Sequence, residues 1–245
     1  MNILNFFITG FIIGGIGTCI GGILSILIYK PSDRAISGLL SYAAGIMLAI
    51  ISFDLMPKAY EIGGFFIVTL GLAIGLIIIF IAERMIPSNK FKKYRGKNLS
   101  YIKMSMIIII SLSLHNFPEG VAIGSSSFYS SELGIKIGIL IAAHNIPEGM
   151  SVGIPLKMAG SNPLSIIILT LLTGLPTAFG AVLGAILGGI SDYFIAFCLS
   201  AAASSMLYVS ANKLIPEANI LHQGKSSAIF LLIGFICGCY LSFAI

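Results

Sequence analysis

Between Leu4 and Phe243 one pattern keeps returning: an apolar run of bilayer-crossing length, then a short polar or Gly/Pro break. A helix needs roughly 20 apolar residues to cross a bilayer. Inside hydrocarbon every backbone N–H and C=O must be satisfied by the segment itself, so runs of this length become helices. Eight fit, at about 4–29, 36–56, 64–82, 103–129, 133–156, 163–190, 193–216 and 226–243. Of the 245 residues, 57% are hydrophobic and 9% charged, which leaves almost nothing for a soluble domain. The expected fold class is an all-α membrane protein with eight transmembrane helices, residues 1–245 forming a single transmembrane domain. The first run lacks a basic n-region and a small-residue cleavage site, and reads as a retained span.

Charge sets the orientation. Seven of the 14 Lys and Arg residues fall in one segment, from Arg84 to Lys103. Basic loops stay in the cytoplasm, so the loop at about 84–102 is expected there and both termini outside, in a multi-pass plasma-membrane protein. The net charge of +5 comes largely from this loop. It points to lipid headgroups as the partner and not to nucleic acid. Cys19, Cys198, Cys237 and Cys239 all lie in apolar runs without metal-type spacing, and read as small packing residues.

Two near-copies of one phrase interrupt the fourth and fifth runs. His115-Asn116-Phe117-Pro118-Glu119-Gly120 is echoed by His144-Asn145-Ile146-Pro147-Glu148-Gly149. Polar and acidic residues at membrane depth are costly and mark an ion, a partner or water. Helical spacing sets His115 and Asn116 beside Glu119, and His144 and Asn145 beside Glu148. Each proline removes a ladder donor and crowds the carbonyl four residues back, so central helices 4 and 5 are expected to kink. Imidazole nitrogen with carboxylate oxygen suits zinc, iron or manganese better than calcium or magnesium. A single motif of this kind reads equally well as polar glue between helices; two at mid-span favour a cation site.

A fainter echo links runs two and seven. Asp54-Leu55-Met56-Pro57-Lys58-Ala59 parallels Lys213-Leu214-Ile215-Pro216-Glu217-Ala218 with the charges exchanged. Acid and base stand four apart in each, so each pair is expected to neutralise itself. Such pairing between oppositely running spans gives the chain an inverted-repeat character, a recurring transporter design.

The paired His-Asn-x-Pro-Glu-Gly motifs resemble those of the ZIP (Zrt-/Irt-like) divalent metal transporters, of the short bacterial type, over essentially the whole chain. The resemblance implies import of zinc, or of iron, manganese, cobalt or cadmium, as transported substrate, with no cofactor. It implies a main site of His115, Glu119, His144 and Glu148, and a second site holding Asn116 and Asn145 bridged by the glutamates. Met47, in Ala44-Gly45-Ile46-Met47, falls where some members place a thioether ligand, although core packing is the stronger account of it. Thr177 stands where the family usually has Glu, and Asn212-Lys213 where it often has His or Asp followed by Glu. These departures remove negative charge, so one functional metal site is expected. The resemblance also implies movement of spans 2, 4, 5 and 7 against spans 1, 3, 6 and 8. It allows a homodimer.

The rival reading is a membrane-embedded zinc-dependent hydrolase. That chemistry needs three ligands, an open position for water and a general base. No H-E-x-x-H occurs, and every acid of the motifs is placed as a ligand, so the expectation is a protein that is not an enzyme.

Overall fold

The computed structural model describes residues 2–28, 32–84 and 97–244, for some of which, His115 among them, the backbone alone is described. Among the described residues there is no strand. Ten α-helices follow one another: α1 (Ile3–Leu27), α2 (Asp33–Ile50), α3 (Met56–Arg84), α4 (Lys97–Tyr129), α5 (Ser131–Met158), α6 (Pro163–Leu172), α7 (Leu175–Gly188), α8 (Asp192–Val209), α9 (Ile215–Leu221) and α10 (Lys225–Ala244). Most of the basic segment expected at about 84–102 lies outside the described residues.

Six described stretches are long and apolar enough to cross a membrane. One of them, Asp33–Ile81, has 49 residues. A helix that long would measure about 74 Å, more than twice the hydrocarbon thickness. Gly64 divides it, with φ 66° and ψ −177°, a conformation reserved for glycine. Near the other end of the chain, α6 and α7 are two half-length helices where one span was expected. They part at Thr173-Gly174, just before Pro176.

The faint echo between runs two and seven is a shared backbone device. Ile51–Leu55 and Ser210–Leu214 are both five-residue π turns, joining α2 to α3 and α8 to α9. In each, an N–H reaches five residues back: Met56 to the Ile51 carbonyl, Ile215 to the Ser210 carbonyl. The next residue is Pro57 or Pro216. Its ring crowds the carbonyl four residues back, which favours the wider turn.

Packing separates the helices into two groups. α1 lies along α5, α6 and α7, and α4 along α5 and α7. α3 lies along α8, and α10 and α9 along α2. The groups meet where α4 faces α8 and α2 faces α5. This overturns the division of spans 2, 4, 5 and 7 from 1, 3, 6 and 8: the first and sixth spans group with the two motif helices, and the second and seventh group with the eighth and third. The reason lies in the small residues. A Cβ on Gly120 would overlap the Thr177 carbonyl of α7, and one on Gly149 the Thr18 carbonyl of α1. The last residue of each motif thus brings a neighbouring backbone into contact.

Candidate metal centre

α4 and α5 are joined by Ser130 alone, whose hydroxyl accepts from the Leu133 N–H and starts α5. The two motif helices therefore run antiparallel side by side, and their midpoints face each other. Pro118 and Pro147 lie within continuous helices.

Glu119, His144 and Glu148 meet at that midpoint, each with 0% exposure. His144 Nε2 stands 2.9 Å from Glu119 Oε1 and 4.0 Å from Glu148 Oε1. One ligand atom from each residue lies within 4.8 Å of the others. His144 Nδ1 is 3.2 Å from the Leu140 carbonyl oxygen, one turn back. A carbonyl only accepts, so Nδ1 carries the proton and Nε2 is the nitrogen turned toward the acids. Carbonyl-anchored imidazoles of this kind are the usual metal-ligating arrangement. Two carboxylates in a dry interior require positive charge beside them, from a proton or from a metal ion.

The structure thus brings together three of the expected residues. The side chain of the fourth, His115, lies outside the described residues. Asn116 and Asn145 are fully buried on the same two helices. Asn116 Nδ2 donates to the Thr173 carbonyl at 2.7 Å, and Asn145 Nδ2 to the Gly14 carbonyl at 3.3 Å. Their Oδ1 atoms, and Oγ1 of buried Thr177, have no hydrogen-bond partner among the described residues. Met47 is fully buried in α2, and its sulfur accepts from Ser210 Oγ at 3.6 Å. The four cysteines are free thiols.

One pairing read from sequence is wrong. Lys58 does not neutralise Asp54; its Nζ bonds Glu61 at 2.9 Å. Asp54 pairs instead with Lys136 at 3.2 Å, a residue 82 positions away. Spacing along one helix gave no signal for a contact made between helices.

Helices of crossing length, closed around a buried carboxylate–imidazole–carboxylate group, define a multi-pass membrane protein built to hold a cation in its interior. A family model described as ZIP zinc transporter matches residues 88–245. The chain belongs to the ZIP zinc transporter family. Relatives include the zinc transporter ZupT of Shigella flexneri and that of Escherichia coli K12, each 32% identical over 236 residues, covering 93% of this chain and 90% of the relative. ZupT of Enterobacter sp. strain 638 is 33% identical over the same coverage.

Proposed function

We propose that this protein imports divalent metal cations into the cytoplasm, zinc foremost, through the buried group at Glu119, His144 and Glu148. That group carries the reading: it offers the ligand types a first-row divalent ion prefers, at a spacing an ion can bridge. His115 completes it as a fourth ligand. Iron, manganese, cobalt and cadmium belong to the same substrate class, because imidazole and carboxylate serve them alike. The zinc carriers among the relatives support zinc as the first candidate.

The second site is weak or lost in this chain. Asn116, Asn145 and Thr177 offer neutral oxygens where a divalent ion needs charge. Met47 is a packing residue first, since its sulfur already accepts from Ser210. The membrane arrangement has eight crossings with kinks at Pro118 and Pro147, and both termini on the outer side. The break at Gly64 supports counting Asp33–Ile81 as two crossings. The matched π turns, and the pairing of α1 with α5 as α7 pairs with α4, support the inverted repeat.

Purified protein in sealed vesicles tests the reading. Zinc uptake should saturate with zinc concentration and vanish in Glu119→Ala, while the variant still inserts. Undiminished uptake by that variant refutes the site. Flux that rises linearly without saturation refutes a carrier in favour of a pore.

A further inference from the structure

The Asp54 side chain is 3% exposed, in the π turn that follows α2. Two residues converge there from separate helices. Lys136 Nζ, from α5, lies 3.2 Å from Oδ1 of Asp54 and 2.9 Å from the Ser242 carbonyl oxygen of α10. Ser242 Oγ–H donates to Oδ2 of Asp54. One ammonium from the α1–α4–α5–α6–α7 group is thus clasped by a carboxylate and a carbonyl of the other group. Nearby, Lys58 Nζ of α3 sits 5.3 Å from the centre of the Tyr129 ring at the end of α4, a second polar contact across the same boundary.

The place of this clasp matters as much as its partners. A cavity of about 760 Å³, lined by Lys58, Ser130, Glu132, Leu133, Ile135 and Lys136, opens at the start of α5. Lys136 lies eight residues before His144 on that helix, roughly 12 Å away. Lys136 lines this cavity and the buried His144 follows it on the same helix, so the ion pair stands at the cavity's end of the motif helix. A fixed ammonium repels cations, and it occupies the carboxylate that would attract them. Sliding α5 along α2 and α10 requires the pair to part.

We propose that Lys136 and Asp54 form the outer gate of the transport path. Paired, they hold the two helix groups together at the mouth and bar cations from the site. Parted, they open the mouth. Lys136 acts as a tethered cation in this role and is not a metal ligand. The proposal rests on the transport reading above.

Accessibility from the outside tests it without relying on transport. Cys19, Cys198, Cys237 and Cys239 are replaced, and Leu140→Cys is introduced one turn below Lys136, at a position with 0% exposure. The rate at which a membrane-impermeant thiol reagent modifies that position is then measured in sealed vesicles. With the pair intact the reaction should be slow. Lys136→Met or Asp54→Asn should speed it by at least about tenfold, since either change loses an ion pair whose carboxylate is 3% exposed and so unseats the closed state. The exchange Asp54→Lys with Lys136→Asp should restore slow modification, which a merely structural loss would not do. Equal rates in all four proteins overturn the gate, as does failure of the exchange to restore protection. Should Lys136→Met not insert, Asp54→Asn and the exchange carry the same comparison. Absence of zinc uptake by the unaltered protein would count against the transport reading alone.

Discussion

Nε2 of His144 and Oε1 of Glu119 stand 2.9 Å apart on antiparallel helices, 25 positions apart in the chain. With Nδ1 held by the Leu140 carbonyl, a contact of this length between Nε2 and Oε1 requires a proton between nitrogen and oxygen. A divalent ion bound by both atoms takes that proton's place.

Removing the acid should therefore cost more than one ligand. Glu119→Gln keeps the shape and deletes the charge, leaving His144 without the carboxylate 2.9 Å from it. Breaking a buried pair costs about 3–5 kcal/mol, which corresponds to roughly two to four decades of affinity. Zinc titration of purified Glu119→Gln should show a loss of that size; affinity within threefold of the unaltered protein would contradict the arrangement.

Proton exchange gives a second test. Metal competes with the proton shared by His144 and Glu119, so binding should release protons and weaken as pH falls. The sign is fixed: acid favours the protonated, metal-free site. A pH-sensitive dye in weakly buffered detergent solution should report acidification on adding zinc. No acidification would mean that no proton occupies the site.

Close approach at the motif glycines should show in stability. Gly120→Ala drives a methyl into the Thr177 carbonyl, and Gly149→Ala into the Thr18 carbonyl. Backbone atoms on a packed helix yield poorly, so each should cost about 1–3 kcal/mol, the usual range for overpacking. Melting temperatures in one detergent should fall for both.

Gly64→Ala isolates backbone strain from packing. Nothing lies within 4 Å of the position a Cβ would take, yet φ is +66°. The cost should come from conformation alone, about 1–3 kcal/mol. A melting temperature equal to that of the unaltered protein would show that the break between the second and third crossings tolerates other dihedrals.

How far the sequence reached follows from the range of its forces. Apolar runs of crossing length dictate helices, because hydrocarbon satisfies no backbone group from outside. The doubled motif dictates a polar site, because helical spacing sets His144 beside Glu148 and Asn145 on one helix. The echo around Pro57 and Pro216 is legible too, although the π turns that accompany it appear only in the folded chain. All of these are interactions within a few residues of one another.

What lay beyond reach was decided between helices. The meeting of Glu119 with His144 depends on two helices facing each other at matching depth. The clasp of Asp54 by Lys136 and Ser242, and not by Lys58, depends on how α5 and α10 pack against the π turn after α2. The grouping of α1 and α7 with the motif helices depends on which glycines find a backbone to approach. Such choices rest on shape complementarity between surfaces distant in the chain. Local periodicity carries no record of them, and only the assembled bundle settles them.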